Sequence, residues 1–423
     1  MAFSRQKTIK ALGQISDIED LDKIIDQLRS RDEFNDKKSS FSSKDFTNPE
    51  AWNDRVDLII GETNSTLDVL TNKKEIEDLS VLNGNIENYI GMSRIPTGVI
   101  GPITVNGTSA RGEFYVPMAT SEGALIASYH RGAKATRISG GIKSVCLSEG
   151  VQRAPLFRFD SIGDLGEFLV WLLAKEDSFH KIVAKTSRYA KLTDFKTNIE
   201  GNQLSIIFCY TTGDASGQNM VTICTEAICH WIIENAPIKP KSWFIEGNFS
   251  GDKKATAQSF LNVRGKKVTA EIEIPQEVLT QVLKTNAGAV AEYWQASTLG
   301  TVQSGSIGAQ GHYANGLAAI FIATGQDVAC VSEAAVGITR MEEISNGGLY
   351  VSVTLPNLIV GTVGGGTVLP TQKECLEMID CFGQGKARKF AEICAAVVLS
   401  GELSIAAAIA AGHFTSAHEK LGR

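Results

Sequence analysis

The stretch that decides the fold class is residues 203–233, QLSIIFCYTTGDASGQNMVTICTEAICHWII. Apolar and β-branched residues dominate 203–210, which predicts a strand, and the glycines within 212–217 predict a turn. Residues 219–233 place apolar side chains at helical spacing, which predicts a helix. Upstream, residues 165–174 predict another helix, and the two kinds of element mix without a regular βαβ rhythm. The pattern therefore favours an α+β fold over a doubly wound parallel sheet.

Helical and polar segments flank this region. Residues 16–28 place apolar side chains on one face behind a capping Ser16, which predicts a helix. Residues 31–50 are polar and rich in serine, which predicts a linker. Downstream, residues 268–274 alternate between apolar and polar side chains and predict a strand, whereas the alanine-rich residues 309–325 predict a helix.

Length and charge limit the class of protein. The chain has 423 residues, which is too long for one hydrophobic core and predicts more than one domain. Its net charge of −6 provides neither the basic face that nucleic acid requires nor a polybasic patch for a membrane surface. The composition is that of a globular protein, and we expect its partners to be small molecules and other protein subunits.

The termini and the cysteines predict a cytoplasmic protein without a membrane span. The most apolar stretch, residues 391–412, is interrupted by Glu392, Gly401 and Glu402, which predicts a buried helix. Residues 1–7 lack the apolar core of a signal peptide. The eight cysteines form no C-x-x-C pair and match no zinc spacing, so we expect free thiols and no metal site.

Four segments far apart in the chain each supply one group suited to reducing a thioester. Glu122 supplies an acid, Lys253 a cation, Asp327 a second carboxylate and His418 an imidazole. Each also has an ordinary structural interpretation. Glu122 suits the first turn of a helix predicted over 121–136, and Lys253 suits a solvated surface. Asp327 suits a turn, and His418 suits a solvated tail.

Other segments are suited to holding phosphate groups. The GTVGGG run of residues 361–366 leaves backbone N–H groups uncovered, although it is not a G-x-G-x-x-G fingerprint. Residues 187–189 supply a hydroxyl, a guanidinium and a ring, which suit an adenosine 2′-phosphate. Arg131 and Lys134 lie on one helix face and suit the phosphates of coenzyme A, or form a solvated stripe.

Read together, eight segments resemble the 3-hydroxy-3-methylglutaryl-coenzyme A reductase family. The resemblance runs from about residue 85 to residue 420 and is closer to the NADPH-using branch than to the NADH-using one. The segments are residues 87–91 (ENYIG), 117–123 (PMATSEG), 213–220 (GDASGQNM), 252–254 (DKK), 305–308 (GSIG), 325–327 (GQD), 361–366 (GTVGGG) and 401–404 (GELS).

The resemblance implies an α+β architecture. A large coenzyme A domain, residues 86–146 and 245–423, would surround a long central helix. A ferredoxin-like NADP-binding domain would be inserted at residues 147–244, and residues 1–85 would form a helical N-terminal segment. The active site would lie between two subunits, which implies a homodimer or a dimer of dimers.

The resemblance also implies a reaction. Two NADPH molecules would reduce the thioester in turn, through a hemithioacetal and an aldehyde, so that HMG-CoA yields mevalonate and free coenzyme A. Lys253 would stabilise the oxyanion, Glu122 would handle the carbonyl proton, Asp327 would tune that pair, and His418 would protonate the departing thiolate.

The binding groups follow from motif position and from the phosphate-binding patterns above. The predicted cofactor-binding residues are Ser187, Arg188, Tyr189, Asp214, Gly217, Asn219, Gly364, Gly365 and Gly366. The predicted substrate-binding residues are Glu87, Arg131, Lys134, Val145, Glu246, Asp252 and Lys254.

Three positions depart from the family pattern. Val145 aligns with an arginine, Glu246 with a serine and Ala296 with a lysine, and these groups would help to hold the acyl carboxylate, leaving only Lys254 of that set. Two alternatives therefore stay open. The chain reduces a different acyl thioester that lacks the distal carboxylate and is bound to coenzyme A or to a carrier protein, or it is a silent homologue that binds coenzyme A or NADPH.

Overall fold

A computed structural model describes residues 5–29, 37–41 and 48–413. The helices are α1 (Arg5–Ser16), α2 (Leu21–Arg29), α3 (Pro49–Glu62), α4 (Leu125–Ile138), α5 (Ile162–Leu173), α6 (Glu176–Thr186), α7 (Gln218–Asn235), α8 (Gln258–Leu261), α9 (Gln276–Val278), α10 (Ala287–Gln303), α11 (Tyr313–Thr324), α12 (Val331–Ala334), α13 (Pro370–Met378) and α14 (Ala387–Ala410). The strands are β1 (Thr97–Gly107), β2 (Arg111–Ala119), β3 (Ile142–Arg153), β4 (Leu156–Arg158), β5 (Lys191–Glu200), β6 (Gln203–Thr211), β7 (Ser242–Phe244), β8 (Gly265–Ile274), β9 (Gly308–Ala309), β10 (Gly337–Glu343) and β11 (Leu349–Leu358). Single 3₁₀ turns lie at Leu79–Leu82, Val328–Cys330 and Gly365–Val368.

The larger sheet is built around β8, which pairs antiparallel with β3 on one side and with β11 on the other. Strand β10 extends it beyond β11, and β1 joins β3 in parallel and β2 antiparallel. Helix α14 packs on this sheet and contributes most of its residues to the larger hydrophobic core. At 24 residues it is about 36 Å long, and it is the long central helix that the resemblance implies.

Helix α14 also carries two buried carboxylates. Glu392 accepts backbone N–H bonds from Ser109 (2.8 Å), Ala110 (2.7 Å) and Cys146 (3.1 Å). Glu402 accepts from the N–H groups of Gly311 and His312, both at 2.7 Å. Within the described residues, α14 is the one helix long and apolar enough to cross a membrane, and 83% of its apolar window is buried inside the protein. Both carboxylates are therefore satisfied by other segments of the same chain.

Helix α4 crosses α14 at very short range. A Cβ atom placed on Gly132 would lie 1.9 Å from the backbone oxygen of Ser400. A glycine is required here because any side chain would separate the two helices. This contact fixes α4, and with it the loop that precedes α4, against the central helix.

The smaller sheet has the strand order β7-β4-β6-β5, and its elements follow the sequence β-α-β-β-α-β with two helices at the first α position. This is the ferredoxin-like arrangement that was expected. A second hydrophobic core, rich in aromatic rings, lies beneath it and is separate from the larger one. Strand β3 belongs to both sheets, because its last three residues pair with β6. The domain boundaries at residues 85, 146 and 244 stay a prediction.

The N-terminal helices differ from the prediction. Ser16 is the last residue of α1 rather than the cap of a new helix, and its hydroxyl donates to the carbonyl of Gly13. Asp20 instead accepts the N–H of Asp22 and begins α2, so the predicted helix over 16–28 is wrong at its start. Both residues favour helix N-caps, and the sequence pattern alone does not decide between them.

Candidate active site

Lys253 lies in the loop between β7 and α8, and both its backbone and its side chain are held by other residues. Its backbone has a left-handed φ of 54°, which is unfavourable for a residue with a side chain. Its N–H donates to Oε1 of Glu333 at 3.0 Å, and its Nζ lies 2.8 Å from Oδ2 of Asp327. The loop conformation and the ion pair together fix where the ammonium stands.

The ion pair shifts the pKa of both groups. The hydrogen bond from Lys253 to Asp327 raises the pKa of the ammonium above its ordinary value. Burial acts to raise the pKa of Asp327, but the hydrogen bond and the charge of Lys253 outweigh burial and lower it overall. The lysine therefore stays protonated, and the aspartate ionised, near neutral pH, although both side chains are partly open to solvent at 46% and 40%.

The variant Asp327→Asn tests this coupling through the pH dependence of turnover. Because the carboxylate raises the pKa of Lys253, its removal should lower that pKa, and the loss of activity on the alkaline side should begin at a lower pH than in the wild type. A pH–kcat profile measures the shift. Glu342→Gln removes the exposed partner of Arg340 on β10 and serves as the control. An unmoved alkaline limb in Asp327→Asn would contradict the assignment.

A buried charge network supports the Lys253 loop from behind. Arg264 is 2% exposed and donates through Nε to Glu333 (2.7 Å) and through Nη2 to Asp252 (2.7 Å). Glu333 has no exposed side-chain surface, and burial raises its pKa despite the opposing charge of Arg264. Its two oxygens thus join Arg264 to the backbone of Lys253.

Glu246 begins the same loop and faces a second arginine. Its Oε2 lies 3.2 Å from Nη1 of Arg153 and also accepts from the hydroxyl of Ser250 at 3.1 Å. The same Nη1 of Arg153 lies 3.1 Å from Oδ2 of Asp252. The loop from 246 to 254 therefore contains two carboxylates that share one guanidinium.

Sequence reasoning missed Arg153 and looked for this cation at position 145. Val145 lies in the middle of β3, half-buried and opposite Thr269 of β8. Arg153 is the last residue of the same strand, about 26 Å further along at the rise of an extended chain. The signal available in the sequence was an arginine directly before the apolar residues Ala154-Pro-Leu-Phe157, a setting in which a buried charge needs a partner.

Glu122 lies outside the helix in which it was expected. Helix α4 begins at Leu125 rather than Ser121, because Ala124 adopts a left-handed φ of 66° that the helix does not continue through. The carboxylate of Glu122 is exposed and accepts a hydrogen bond from Nδ2 of Asn315 at 2.7 Å. It is therefore held by a side chain of α11 and not by the first turn of α4.

His312 lies beside this group and was also missed. It directly precedes α11, and its Nδ1 lies 3.2 Å from Oε1 of Glu402. Its Nε2 is buried and has no hydrogen-bond partner among the described residues. Few buried polar atoms in a native structure lack a partner, so His312 is a candidate for this site.

Helix α11 lies between Asn315, which holds Glu122, and the Lys253–Asp327 pair. Asn315 is in its first turn, whereas Asp327 lies three residues beyond its end at Thr324. The helix rises about 14 Å from Asn315 to Thr324, and the Asp327–Lys253 pair lies beyond that end. Among the described residues, no hydrogen bond or ion pair joins Glu122 to Lys253 or to Asp327.

The glycine-rich loop lies next to the Lys253–Asp327 pair. A Cβ atom on Gly325 would stand 2.1 Å from the carbonyl oxygen of Gly366, so the two segments touch through bare backbone. Gly364 and Gly365 have positive φ and no protein atom within 4 Å of the place of a Cβ, so this backbone faces open space. Gly361 in turn contacts the backbone of Asp214 and Ser216.

The other predicted cofactor-binding residues lie in segments that flank the strands of the smaller sheet. Asp214 accepts the N–H groups of Gly385 (2.8 Å) and Ala387 (3.1 Å), where it caps the start of α14. Gly217 has a φ of 80° and precedes α7, whose first turn contains the exposed Asn219. The predicted phosphate grip, with exposed Arg188 and Tyr189 and the turn-capping Ser187, lies between α6 and β5.

The predicted substrate-binding residues are spread more widely. Arg131 faces α14 and donates to the carbonyl of Ser404 at 2.6 Å, whereas Lys134 is exposed, so the two do not form one solvated stripe. Glu87 is exposed before β1, and Nζ of Lys254 donates to the carbonyl of Asp252 at 3.0 Å. His418 lies outside the described residues. Within the described ranges, no group of three or more metal-ligating side chains occurs.

The family model for hydroxymethylglutaryl-coenzyme A reductase matches residues 51–423. The chain belongs to this family. It is 43% identical over 353 residues to the 3-hydroxy-3-methylglutaryl-coenzyme A reductase of Methanocaldococcus jannaschii, a match that covers 82% of this chain and 87% of that protein. The reductase of Pyrococcus abyssi is 44% identical over 355 residues, with the same shares of the two chains.

A solved structure has the same fold as this member of the hydroxymethylglutaryl-coenzyme A reductase family. The class II 3-hydroxy-3-methylglutaryl-CoA reductase of Streptococcus pneumoniae, determined bound to NADPH in open conformations, superposes with a TM-score of 0.69. The match covers 85% of this chain and 97% of that one at 19% sequence identity, so it shows the fold alone. The α+β architecture expected from the resemblance is confirmed.

Proposed function

We propose that this chain reduces 3-hydroxy-3-methylglutaryl-coenzyme A to mevalonate and free coenzyme A with two NADPH. Family membership over residues 51–423 supports the reaction type. The observation that carries the proposal is the Lys253–Asp327 ion pair at 2.8 Å, in contact through Gly325 with the bare backbone of the 361–366 loop. An ammonium stabilises the oxyanion that forms when a thioester accepts a hydride, and the exposed backbone beside it suits a phosphate group.

The residues present fit NADPH. Gly364 and Gly365 expose backbone to open space, and Gly361 joins their loop to the turn that contains Asp214 and ends at Gly217. Their N–H groups and the N-terminus of α7 suit the pyrophosphate, and the exposed Arg188 suits a 2′-phosphate. NADPH supplies one hydride to the carbonyl carbon in each of the two reductions. We place this cofactor between the inserted unit of residues 147–244 and the 361–366 loop of the large domain.

The protein groups supply charge and protons. The ammonium of Lys253 stabilises the oxyanion that forms when the thioester carbonyl accepts the first hydride, and Asp327 keeps the lysine protonated. The oxyanion of the resulting hemithioacetal re-forms a carbonyl group as the carbon–sulfur bond breaks, which leaves an aldehyde. Coenzyme A departs as a thiolate, which His418 would protonate. In the second reduction, Glu122 would donate a proton to the aldehyde oxygen. The cation and the acid thus act in turn at the carbonyl oxygen, whereas the imidazole acts at the sulfur of coenzyme A.

The proposal includes a dimer with shared sites. Glu122 and the Lys253–Asp327 pair lie at opposite ends of α11, so a site that needs both must take them from two subunits. Residues 86–95 before β1 support this, because Ile86, Ile90, Met92 and Ile95 are exposed, with Ile90 completely so. Such a cluster of exposed apolar side chains is typical of a surface that another chain covers. A cytoplasmic location also belongs to the proposal, and the eight free cysteines support it.

Complementation between two inactive variants tests the shared site. Glu122→Gln and Lys253→Ala chains, inactive alone, should recover about a quarter of wild-type activity when co-expressed, because random pairing makes half the molecules heterodimers with one intact site of two. A mixture of Lys253→Ala and Lys253→Met chains is the matched control and should stay inactive. If co-expressed Glu122→Gln and Lys253→Ala chains form dimers but recover no activity, Glu122 and Lys253 act within one subunit.

The reaction itself is tested by the absorbance of NADPH. Purified protein should oxidise two NADPH for each coenzyme A released from HMG-CoA, with mevalonate identified by mass spectrometry. Binding of both ligands without oxidation would support the silent homologue instead. Turnover that stops after one NADPH would contradict the four-electron reaction.

A further inference from the structure

Glu246 is the residue of this site that the proposed reaction does not use. Its side chain is 20% exposed, and Oε2 is surrounded by donors: Nη1 of Arg153 (3.2 Å), the N–H of Ala154 (3.3 Å) and the hydroxyl of Ser250 (3.1 Å). The Lys253 loop begins at this residue. The carboxylate therefore occupies a set of donors that an anionic ligand at this loop would need.

Each buried arginine around the loop already faces carboxylates of the chain itself. Arg153 contacts Glu246 and Asp252, and Arg264 contacts Asp252 and Glu333. Two guanidinium groups thus face three carboxyl groups within the described residues. A substrate carboxylate that approached Arg153 would have to displace Glu246 or share the guanidinium with it, at the cost of like-charge repulsion.

The atoms left without partners suit an uncharged group. Among the described residues, Nε of Arg153, Nε2 of Gln218 and Oε1 of Glu246 are buried without a hydrogen bond. Arg153 and Gln218 are neighbours, since Nη2 of the arginine lies 3.5 Å from the glutamine carbonyl oxygen. A hydroxyl or an amide both accepts and donates hydrogen bonds, whereas a carboxylate has no proton to give to Glu246.

We infer that Glu246 determines acyl selectivity by neutralising Arg153, so that thioesters with an uncharged distal end are reduced at least as well as HMG-CoA. The inference rests on the proposed function and specifies its substrate class. Glu246 acts through Arg153 and takes no part in hydride or proton transfer. Its effect should therefore appear in KM and in the choice of acyl chain, with kcat for an uncharged thioester little changed.

Two thioesters that differ in one group test the inference. HMG-CoA is compared with 3-hydroxy-3-methylbutyryl-coenzyme A, which has the same branched hydroxyl but lacks the carboxylate. For the wild type, kcat/KM should be at least equal on the second. In Glu246→Ser the ratio should shift towards HMG-CoA by about tenfold or more, since the carboxylate gains a charge-assisted bond to Arg153. Glu246→Gln keeps the shape and should shift the ratio in the same direction.

Controls separate the possible failures. Glu234→Ser removes an exposed glutamate from the end of α7 and should leave the ratio unchanged. If both thioesters are reduced and neither Glu246 variant changes the ratio, the inference is wrong while the proposed function stands. If the wild type reduces neither thioester, the proposed function fails. The inference is then tested by binding: calorimetry gives the dissociation constants of the two thioesters for the wild type and for Glu246→Gln, and the ratio of these constants should shift towards HMG-CoA in the variant.

Discussion

Replacing Lys253 with alanine should lower kcat for thioester reduction by about 10²–10³-fold, the usual effect of removing a group that stabilises an oxyanion. The ammonium is the group that Asp327 holds at 2.8 Å and keeps protonated, and the loop backbone places it there at a left-handed φ. Because the charge develops in the transition state, KM should change much less than kcat. Steady-state oxidation of NADPH measures both constants.

The neighbouring lysine provides the control. Lys254→Ala removes an equal charge one residue away, whose Nζ donates to the carbonyl of Asp252 and has no contact with Asp327. We expect kcat to be largely retained in that variant, with any loss appearing in KM, because Lys254 belongs to the predicted substrate-binding residues. Equal losses in the two variants would mean that general positive charge, and not the placed ammonium, is what the reaction uses.

Replacing Arg264 with leucine should lower the free energy of unfolding by about 3–5 kcal/mol, since it leaves buried carboxylates without their cation. Glu333 has no exposed side-chain surface, and its Oε2 accepts from Arg264 at 2.7 Å. Activity should fall as well, because Glu333 holds the N–H of Lys253. Denaturant unfolding followed by circular dichroism measures the stability.

A double variant distinguishes the lost ion pair from lost packing. Arg264→Leu with Glu333→Leu removes both charges and should recover part of the stability lost in the single variant, although Asp252 still loses its contact with Arg264. Arg340→Leu, at an exposed ion pair on β10, should have little effect. Additive losses in the double variant would show that the two side chains do not act as a pair.

The secondary structure was predictable where local pattern decides it. Residues 203–210 and 219–233 form β6 and α7 as expected, and the alternating residues 268–274 lie within β8. The start of α4 was not predictable, because Ala124 adopts a left-handed φ that favours glycine, and the surrounding contacts and not its own preference impose it. The ferredoxin-like arrangement of the smaller sheet was predicted from the family resemblance, because periodicity contains no information on which strands pair.

The site was predictable as motifs and not as contacts. Lys253 and Asp327 were named from sequence, and the structure brings them together across more than seventy positions. Arg153, Arg264 and Glu333 were missed because each gains its role from partners far along the chain, such as the carbonyl of Gln152 that Arg264 reaches. Charged residues within apolar surroundings were the available signal. Glu392 and Glu402 gave that signal too, but were used only to argue against a membrane span.

These two carboxylates make α14 a spacer of fixed length. Glu392 holds the loop after β1 and the N–H of Cys146 in β3, while Glu402 holds the residues that lead into α11, beside Asn315 and Glu122. They lie ten positions apart, which sets a rise of about 15 Å along the helix. Deleting one residue between them would turn one carboxylate by about 100° relative to the other and break one set of contacts. Insertions and deletions are therefore tolerable in the surface loops but not between positions 392 and 402, and any relative that keeps both contacts must keep this spacing.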